Sequence, residues 1–159
     1  MQFGCYVQVA KDKLEQMSEI DLSLGNVEKK DIVSIVENYI EENNKPYQDS
    51  YIQLPIKDVN QEKEFSELGI VTFTEKTRAT IKIQDGCNNF CTYCLIPYAR
   101  GRVRSRKKEN IIEEVTKIAE KGIKEIVITG IHIASYGVDL EENYRLINLL
   151  EDLLVLRVL

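Results

Sequence analysis

The sequence predicts an α/β fold, because strands and helices alternate in its second half. Residues 78–84, Arg-Ala-Thr-Ile-Lys-Ile-Gln, alternate polar and apolar side chains, as a strand does. Residues 109–121 carry apolar side chains at helical spacing and are followed by Gly122. Residues 124–129 predict a second strand and residues 144–155 a second helix. This order predicts two right-handed βα repeats of a parallel sheet, too few to close a barrel.

The pattern of residues 1–47 predicts part of a separate α/β unit. We expect a strand over 3–9, a short surface helix over 11–17 and a second strand over 20–24. Asn26 is expected to cap the next helix, which would end near residue 43. Residues 48–77 show no sustained period, so we interpret them as a linker between domains at 1–47 and 78–159.

Composition and charge indicate a globular protein with a local basic segment. The chain has 159 residues, 43% of them hydrophobic and 30% charged, and a net charge of −5. No apolar run is long enough to span a membrane, and the first residues resemble neither a leader nor a signal core, so we expect a cytoplasmic protein without a membrane partner. In that compartment four cysteines indicate metal or redox chemistry rather than disulfides.

Three of the cysteines form a C-x3-C-x2-C run at Cys87, Cys91 and Cys94. Structural zinc sites usually take two pairs of ligands, and a second pair is absent here. Three thiolates on a four-iron cluster would leave one iron open for a small ligand such as S-adenosylmethionine, whose carbon–sulfur bond the cluster can cleave reductively. Structural zinc and ordinary buried thiols remain the alternatives for this run.

A basic segment follows the cysteines, with six cationic side chains in residues 100–108. Arg100, Arg102, Arg104 and Arg106 alternate, so an extended segment would place all four on one side, where they would bind phosphate or carboxylate groups. A solvated charged face is the alternative. His132, the only histidine, follows a strand end and is either a ligand contact or a structural residue.

Residues 78–106 closely resemble the methylthiotransferase family of radical S-adenosylmethionine enzymes. The quoted strand, the run Asp-Gly-Cys-Asn-Asn-Phe-Cys-Thr-Tyr-Cys and the basic segment carry this resemblance. Residues 129–137, Thr-Gly-Ile-His-Ile-Ala-Ser-Tyr-Gly, resemble the branch acting on threonylcarbamoyladenosine in tRNA. The implied fold is part of a flavodoxin-like N-terminal methylthiotransferase domain, followed by the first βα repeats of a radical S-adenosylmethionine (βα) partial barrel.

The resemblance implies an enzyme that adds a methylthio group to carbon 2 of the modified adenosine beside the anticodon. Cys87, Cys91 and Cys94 would hold the radical [4Fe-4S] cluster. Tyr93, with its flat face and polar tip, and Gly130, at a strand's carboxyl end, would line the S-adenosylmethionine site. Arg100 and Arg102 would meet the cofactor carboxylate or tRNA phosphates. The expected partners are tRNA, S-adenosylmethionine, an electron donor and a sulfur donor.

Members of this family also hold an auxiliary [4Fe-4S] cluster with three cysteines of the N-terminal domain. The motif Gly4-Cys5-Tyr6-Val7-Gln8 matches the surroundings of the last of these, so the resemblance makes Cys5 a ligand. Without it, Cys5 would be read as a small buried hydrophobe in a strand. The other two ligands are not in this sequence, so we expect a fragment that is inactive alone.

Two other functions remain open at this point. Related methylthiotransferases act on isopentenyladenosine in tRNA or on an aspartate of a ribosomal protein, and residues 129–137 argue against them. The chain could instead be a non-catalytic RNA-binding module, stabilised by zinc or a cluster, in which the basic segment binds RNA. The identity of the bound metal would distinguish such an RNA-binding module from the enzyme.

Overall fold

The computed structural model describes residues 1–14, 16–42, 56–67, 77–141 and 143–156. The chain forms two compact units, one of Met1–Glu62 with Tyr93–Gly101 and the other of Lys63–Thr92 with Arg102–Leu159. The linker expected over 48–77 lies largely outside the described residues, and the domain limits at 47 and 78 remain predictions.

In its described residues, the first unit contains two short strands and four helices. They are β1 (Gln2–Phe3), α1 (Cys5–Val9), α2 (Lys11–Leu14), β2 (Ser23–Leu24), α3 (Ile32–Glu42) and α4 (Ile96–Arg100), with a 3-10 turn over Glu28–Asp31. β1 and β2 pair in parallel, with Gln2 opposite Ser23. α1 packs on α4, and Val7 and Ala99 from these helices are almost fully buried.

Two local expectations for this unit are wrong, and a third, the second strand, is confirmed only in part. The strand expected over 3–9 ends at Phe3, because Gly4 takes a positive φ of 111° and turns the chain into α1. The strand expected over 20–24 is confined to β2. Asn26 is not the N-cap of a helix. The 3-10 turn begins after Val27 without a side-chain cap, and the Asn26 side-chain amide instead donates to the Ala99 carbonyl. The short surface helix is confirmed as α2, and residue 43 lies outside the described residues.

The described part of the second unit is a three-stranded sheet with helices. Its elements are β3 (Arg78–Asp85), β4 (Arg104–Ser105), α5 (Lys108–Glu120), β5 (Glu125–Gly130) and α6 (Leu146–Val155), with a 3-10 turn over Ile133–Ser135. The strand order is β4-β3-β5. β3 and β5 are parallel, which confirms the predicted βα repeat, whereas β4 pairs antiparallel with the end of β3.

The hydrophobic core of this unit lies where β3 meets α5. Alternate residues of β3, Ala79, Ile81 and Ile83, are buried, as the period-two pattern predicted. They share a core cluster with Ile111 and Val115, which are one turn apart on α5. The loop that carries the cysteines follows the carboxyl end of β3 directly in the chain. No helix in the described part of the chain is long and apolar enough to cross a membrane.

Candidate functional site

The cysteine loop begins where β3 ends. Gly86 has a positive φ of 71°, which allows the chain to turn directly after the strand. Its backbone N–H donates to Asp85 Oδ1 at 2.9 Å, and the Gln84 amide donates to the Gly86 carbonyl at 2.6 Å. The last two residues of β3 therefore fix the backbone that leads into Cys87.

Two further contacts hold the part of the loop between Cys87 and Cys91. Asn88 Oδ1 accepts a hydrogen bond from the Val103 backbone N–H at 3.2 Å. The Arg102 guanidinium lies 4.5 Å from the centre of the Phe90 ring, close enough for a cation–π contact. Phe90 has a φ of 46°, an uncommon conformation for a residue with a side chain. Sequence reasoning missed Asn88 and Phe90 as supports of this loop.

All four cysteines are free thiols; Cys91 is exposed and the other three are half-buried. Among the described residues, no three or more His, Cys, Asp and Glu side chains form a group that could hold a metal ion. The chemistry of the donors still fits a four-iron cluster, because three free thiols follow one another at C-x3-C-x2-C spacing. Cys87, Cys91 and Cys94 are thus the residues that could supply thiolate ligands.

The chain after Cys91 presents aromatic and apolar side chains to solvent. Tyr93 is 90% exposed, and Leu95 and Tyr98 are more than half exposed. Tyr93 is therefore accessible to a ligand. Arg100, also expected to bind the cofactor or tRNA, is the last residue of α4, where the chain turns at Gly101 with a φ of 76°.

Gly130 and His132 lie at the end of β5. A Cβ atom on Gly130 would lie 3.0 Å from Ile133 Cγ2 and 3.1 Å from both Gln84 Cβ and the Gln84 carbonyl oxygen, so these neighbours would have to shift by a few tenths of an ångström to accept a side chain there. The His132 backbone N–H donates to Gln84 Oε1 at 2.8 Å, and its Nδ1 lies 2.5 Å from Ser135 Oγ. Gln84 thereby joins the start of the cysteine loop to the loop after β5.

The expected row of four arginines on one extended face is wrong. Arg100 belongs to a helix, and Arg102 is exposed. Arg104 and Arg106 are buried, at 7% and 6% exposure. The period-two pattern is interrupted because only residues 104 and 105 are in strand conformation.

Arg106 is held inside the second unit by two carboxylates. Its Nε donates to Glu67 Oε2 at 2.6 Å, and its Nη1 pairs with Glu114. The Arg106 carbonyl also accepts a hydrogen bond from the buried Tyr136 hydroxyl at 2.9 Å. Burial raises the pKa of Tyr136, with Glu109 and Asp139 adding to the shift, so the phenol stays protonated as a donor. Arg106 therefore has a structural role that the sequence did not indicate.

Cys5 lies in α1, where the Asn26 side chain reaches it. Asn26 Nδ2 donates to the Ala99 carbonyl at 2.6 Å and lies 3.5 Å from Cys5 Sγ. This one amide therefore contacts both α1 and α4. The arrangement is compatible with a thiol ligand at Cys5, which remains a prediction from the resemblance.

Comparisons with known proteins agree with the cysteine motif. Residues 81–156 match the family model of the radical SAM superfamily. The chain is 40% identical over 151 residues to a threonylcarbamoyladenosine tRNA methylthiotransferase of Aquifex aeolicus (strain VF5), covering 95% of this chain and 35% of that protein. It is 37% identical over 153 residues to the enzyme of the same name from Bacillus subtilis (strain 168), covering 94% and 32%.

A ribosomal protein uS12 methylthiotransferase of Clostridium novyi (strain NT) is 39% identical over 151 residues, with 94% of this chain and 32% of that protein covered. The chain spans only about a third of the length of these relatives, 32–35%. It aligns with them over nearly all of its own residues. Residues 81–156 therefore match the radical SAM superfamily, and over nearly all of its residues the chain is similar to methylthiotransferases, the family that its sequence resembles.

Proposed function

We propose that the chain belongs to an enzyme that adds a methylthio group to carbon 2 of threonylcarbamoyladenosine beside the anticodon of tRNA. The observation that carries this proposal is the C-x3-C-x2-C run of free thiols directly after β3, in a segment that matches the radical SAM superfamily. Two relatives named as threonylcarbamoyladenosine tRNA methylthiotransferases align with 94–95% of the chain. The proposal includes a flavodoxin-like domain containing residues 1–47 and a partial barrel containing residues 78–159.

In this proposal Cys87, Cys91 and Cys94 hold a [4Fe-4S] cluster. The cluster, when bound, supplies the electron that cleaves the carbon–sulfur bond of S-adenosylmethionine. The chain positions the cysteine loop through Asn88 and Phe90, whose contacts are independent of any bound group.

Two of the proposed cofactor contacts, Tyr93 and Arg102, are exposed side chains. The Tyr93 ring, 90% exposed, offers a flat apolar face to the nucleoside. The Arg102 guanidinium lies 4.5 Å from the centre of the Phe90 ring, and its N–H groups would donate hydrogen bonds to a carboxylate or phosphate. Arg100 would act in the same way, and Gly130 would contribute its backbone.

The proposal names further partners by their chemistry. An electron donor must reduce the cluster, and a sulfur donor must supply the transferred atom. Cys5 would be one of three ligands of an auxiliary [4Fe-4S] cluster. Because the proposed substrate is tRNA, we place the enzyme in the cytoplasm.

Anaerobic reconstitution with iron and sulfide tests the proposal. We expect about four irons per chain in the triplet site and a reduced-cluster paramagnetic resonance signal that S-adenosylmethionine perturbs. Cys91→Ala should lose this cluster, whereas Cys5→Ala, which removes a thiol outside the triplet, should keep it. Zinc in place of iron, or a cluster indifferent to S-adenosylmethionine, would contradict the proposal and favour the RNA-binding module.

A ribosomal protein substrate is the second candidate, because a relative named for uS12 modification is 39% identical over 94% of the chain. Measured binding affinities can distinguish the two candidate substrates. An anticodon stem-loop carrying threonylcarbamoyladenosine should bind more tightly than the same stem-loop with isopentenyladenosine or adenosine, and more tightly than a uS12 peptide containing the target aspartate. Preference for the peptide would reverse the assignment.

A further inference from the structure

Arg104 is a buried arginine whose guanidinium lacks a complete set of partners. The residue is 7% exposed, and its Nη1 has no hydrogen-bond partner among the described residues. Its Nη2 lies 3.9 Å from Asp85 Oδ2, beyond hydrogen-bond distance. The fold therefore encloses a positive charge and leaves one of its nitrogens without an acceptor.

The Asp85 carboxylate does not supply the missing hydrogen-bond acceptor of Arg104 Nη1. Asp85 Oδ2 lies 2.5 Å from Lys82 Nζ, and Asp85 Oδ1 accepts the Gly86 N–H at 2.9 Å. Lys82 and Arg104 contribute two positive charges against one negative charge from Asp85.

Arg106, in the same segment, is a buried arginine whose guanidinium has acidic partners. Two residues after Arg104, it pairs with both Glu67 and Glu114. A buried donor without an acceptor destabilises a fold, and a charged donor does so most strongly. The contrast indicates that the missing acceptor of Arg104 is supplied from outside the described residues.

The position of Arg104 favours a ligand as that acceptor. Arg104 is the direct antiparallel partner of Asp85, the last residue of β3, and Cys87 follows two residues later. Ligands of α/β folds bind at the carboxyl ends of parallel strands. Arg104 thus lies at the edge of the sheet from which the cysteine loop begins.

We propose that Arg104 is the binding site for the carboxylate of a small ligand. A planar guanidinium matches a carboxylate, and a carboxylate at the end of a flexible small molecule can reach a buried nitrogen that an RNA phosphodiester cannot. This inference rests on the proposed function, which offers two such carboxylates. One belongs to the methionyl part of S-adenosylmethionine and the other to the threonyl part of threonylcarbamoyladenosine.

Two matched ligand pairs distinguish these sources. S-adenosylmethionine is compared with decarboxylated S-adenosylmethionine on the reconstituted chain. The nucleoside threonylcarbamoyladenosine is compared with its threonyl carboxamide, which differs only in replacing the carboxylate by an uncharged amide, on both the reconstituted and the cluster-free chain. Equilibrium binding is measured for the wild type, for Arg104→Gln and for Arg78→Gln, which changes an exposed arginine at the opposite end of β3.

We expect the wild type to prefer the carboxylate-bearing member of one pair by roughly tenfold or more, as a charge-assisted hydrogen bond would give. Arg104→Gln should abolish this preference, and Arg78→Gln should keep it. The pair that shows the effect identifies the source of the carboxylate.

The proposal is overturned if the wild type shows no preference within either pair, a result that needs no variant to fold. It is also overturned if Arg104→Gln weakens both members of a pair equally. Failure to incorporate iron would instead count against the proposed function, and the cluster-free comparison still tests Arg104.

Discussion

The side-chain oxygen of Asn88 accepts a hydrogen bond from the Val103 backbone N–H at 3.2 Å. Asn88 lies between the first two cysteines of the loop, and Val103 directly precedes β4. The bond therefore ties the cysteine loop to the strand that follows it in the second unit. The contact between the Arg102 guanidinium and the Phe90 ring is a second link between this loop and the residues just before β4.

Asn88→Ala should loosen this loop without unfolding the chain. Loss of one hydrogen bond should raise the rate at which the Cys87 thiol reacts with an alkylating reagent by about 2- to 10-fold. The rate is measured on the cluster-free chain by mass spectrometry of the peptide containing Cys87. Asn89→Ala, an exposed neighbour, is the matched control. Equal rates in the two variants would contradict the role given to Asn88.

Gly137→Ala should destabilise the second unit strongly. Gly137 has a φ of 84°, and an added Cβ would lie 1.9 Å from the Tyr144 carbonyl oxygen. We expect a loss of about 3 kcal/mol or more in the free energy of unfolding, from a backbone clash added to left-handed strain. Urea denaturation measures this loss.

Gly122→Ala is the control for Gly137→Ala. Gly122 has a similar φ of 82°, but an added Cβ would meet nothing within 4 Å. Its loss should be about 1 to 2 kcal/mol, from backbone strain alone. Equal losses at the two positions would show that the contact with Tyr144 has no energetic effect.

Arg106→Ala should also lower the free energy of unfolding. The substitution leaves Glu114, whose side chain is 16% exposed, and Glu67 without their cationic partner. Breaking a buried ion pair from one side costs about 3 kcal/mol. Arg78→Ala removes an ion pair between side chains that are 62% and 53% exposed, so its cost should be below about 1 kcal/mol. Urea denaturation of both variants checks this difference, and similar losses would contradict it.

The stability of the chain should fall as the pH rises above about 10. Burial raises the pKa of Tyr136 in the folded state above the ordinary value of 10.0. Burial and the hydrogen bond to Asp152 raise the pKa of Tyr144 in the same direction. Above pH 10 the unfolded chain therefore loses these protons first, which favours unfolding.

Tyr136→Phe tests this pH dependence. The variant should be less stable by about 1 kcal/mol near neutral pH, because the hydrogen bond to the Arg106 carbonyl is lost. Its stability should then decline less steeply than that of the wild type above pH 10. Unfolding free energies at pH 7 to 11 measure the slope, and an unchanged slope would contradict the contribution of Tyr136.

The sequence predicted the second unit well because its signals are local. Alternation in residues 78–84 and helical spacing in residues 109–121 appear as β3 and α5, and β5 follows in parallel as expected. The first unit was harder to predict. Residues 3–9 combine a strand-like composition with a turn at Gly4, and the structure divides them between β1 and α1.

The sequence by itself predicted the family that the comparisons support, because three thiols at C-x3-C-x2-C spacing form a motif that is complete in the order of residues along the chain. Only the tertiary structure decided which arginines are enclosed. The carboxylate on Arg106 Nε comes from Glu67, 39 residues away, and the carbonyl bound by Asn26 comes from Ala99, 73 residues away. Such partners leave no local periodicity, because burial depends on which distant segments the fold brings together.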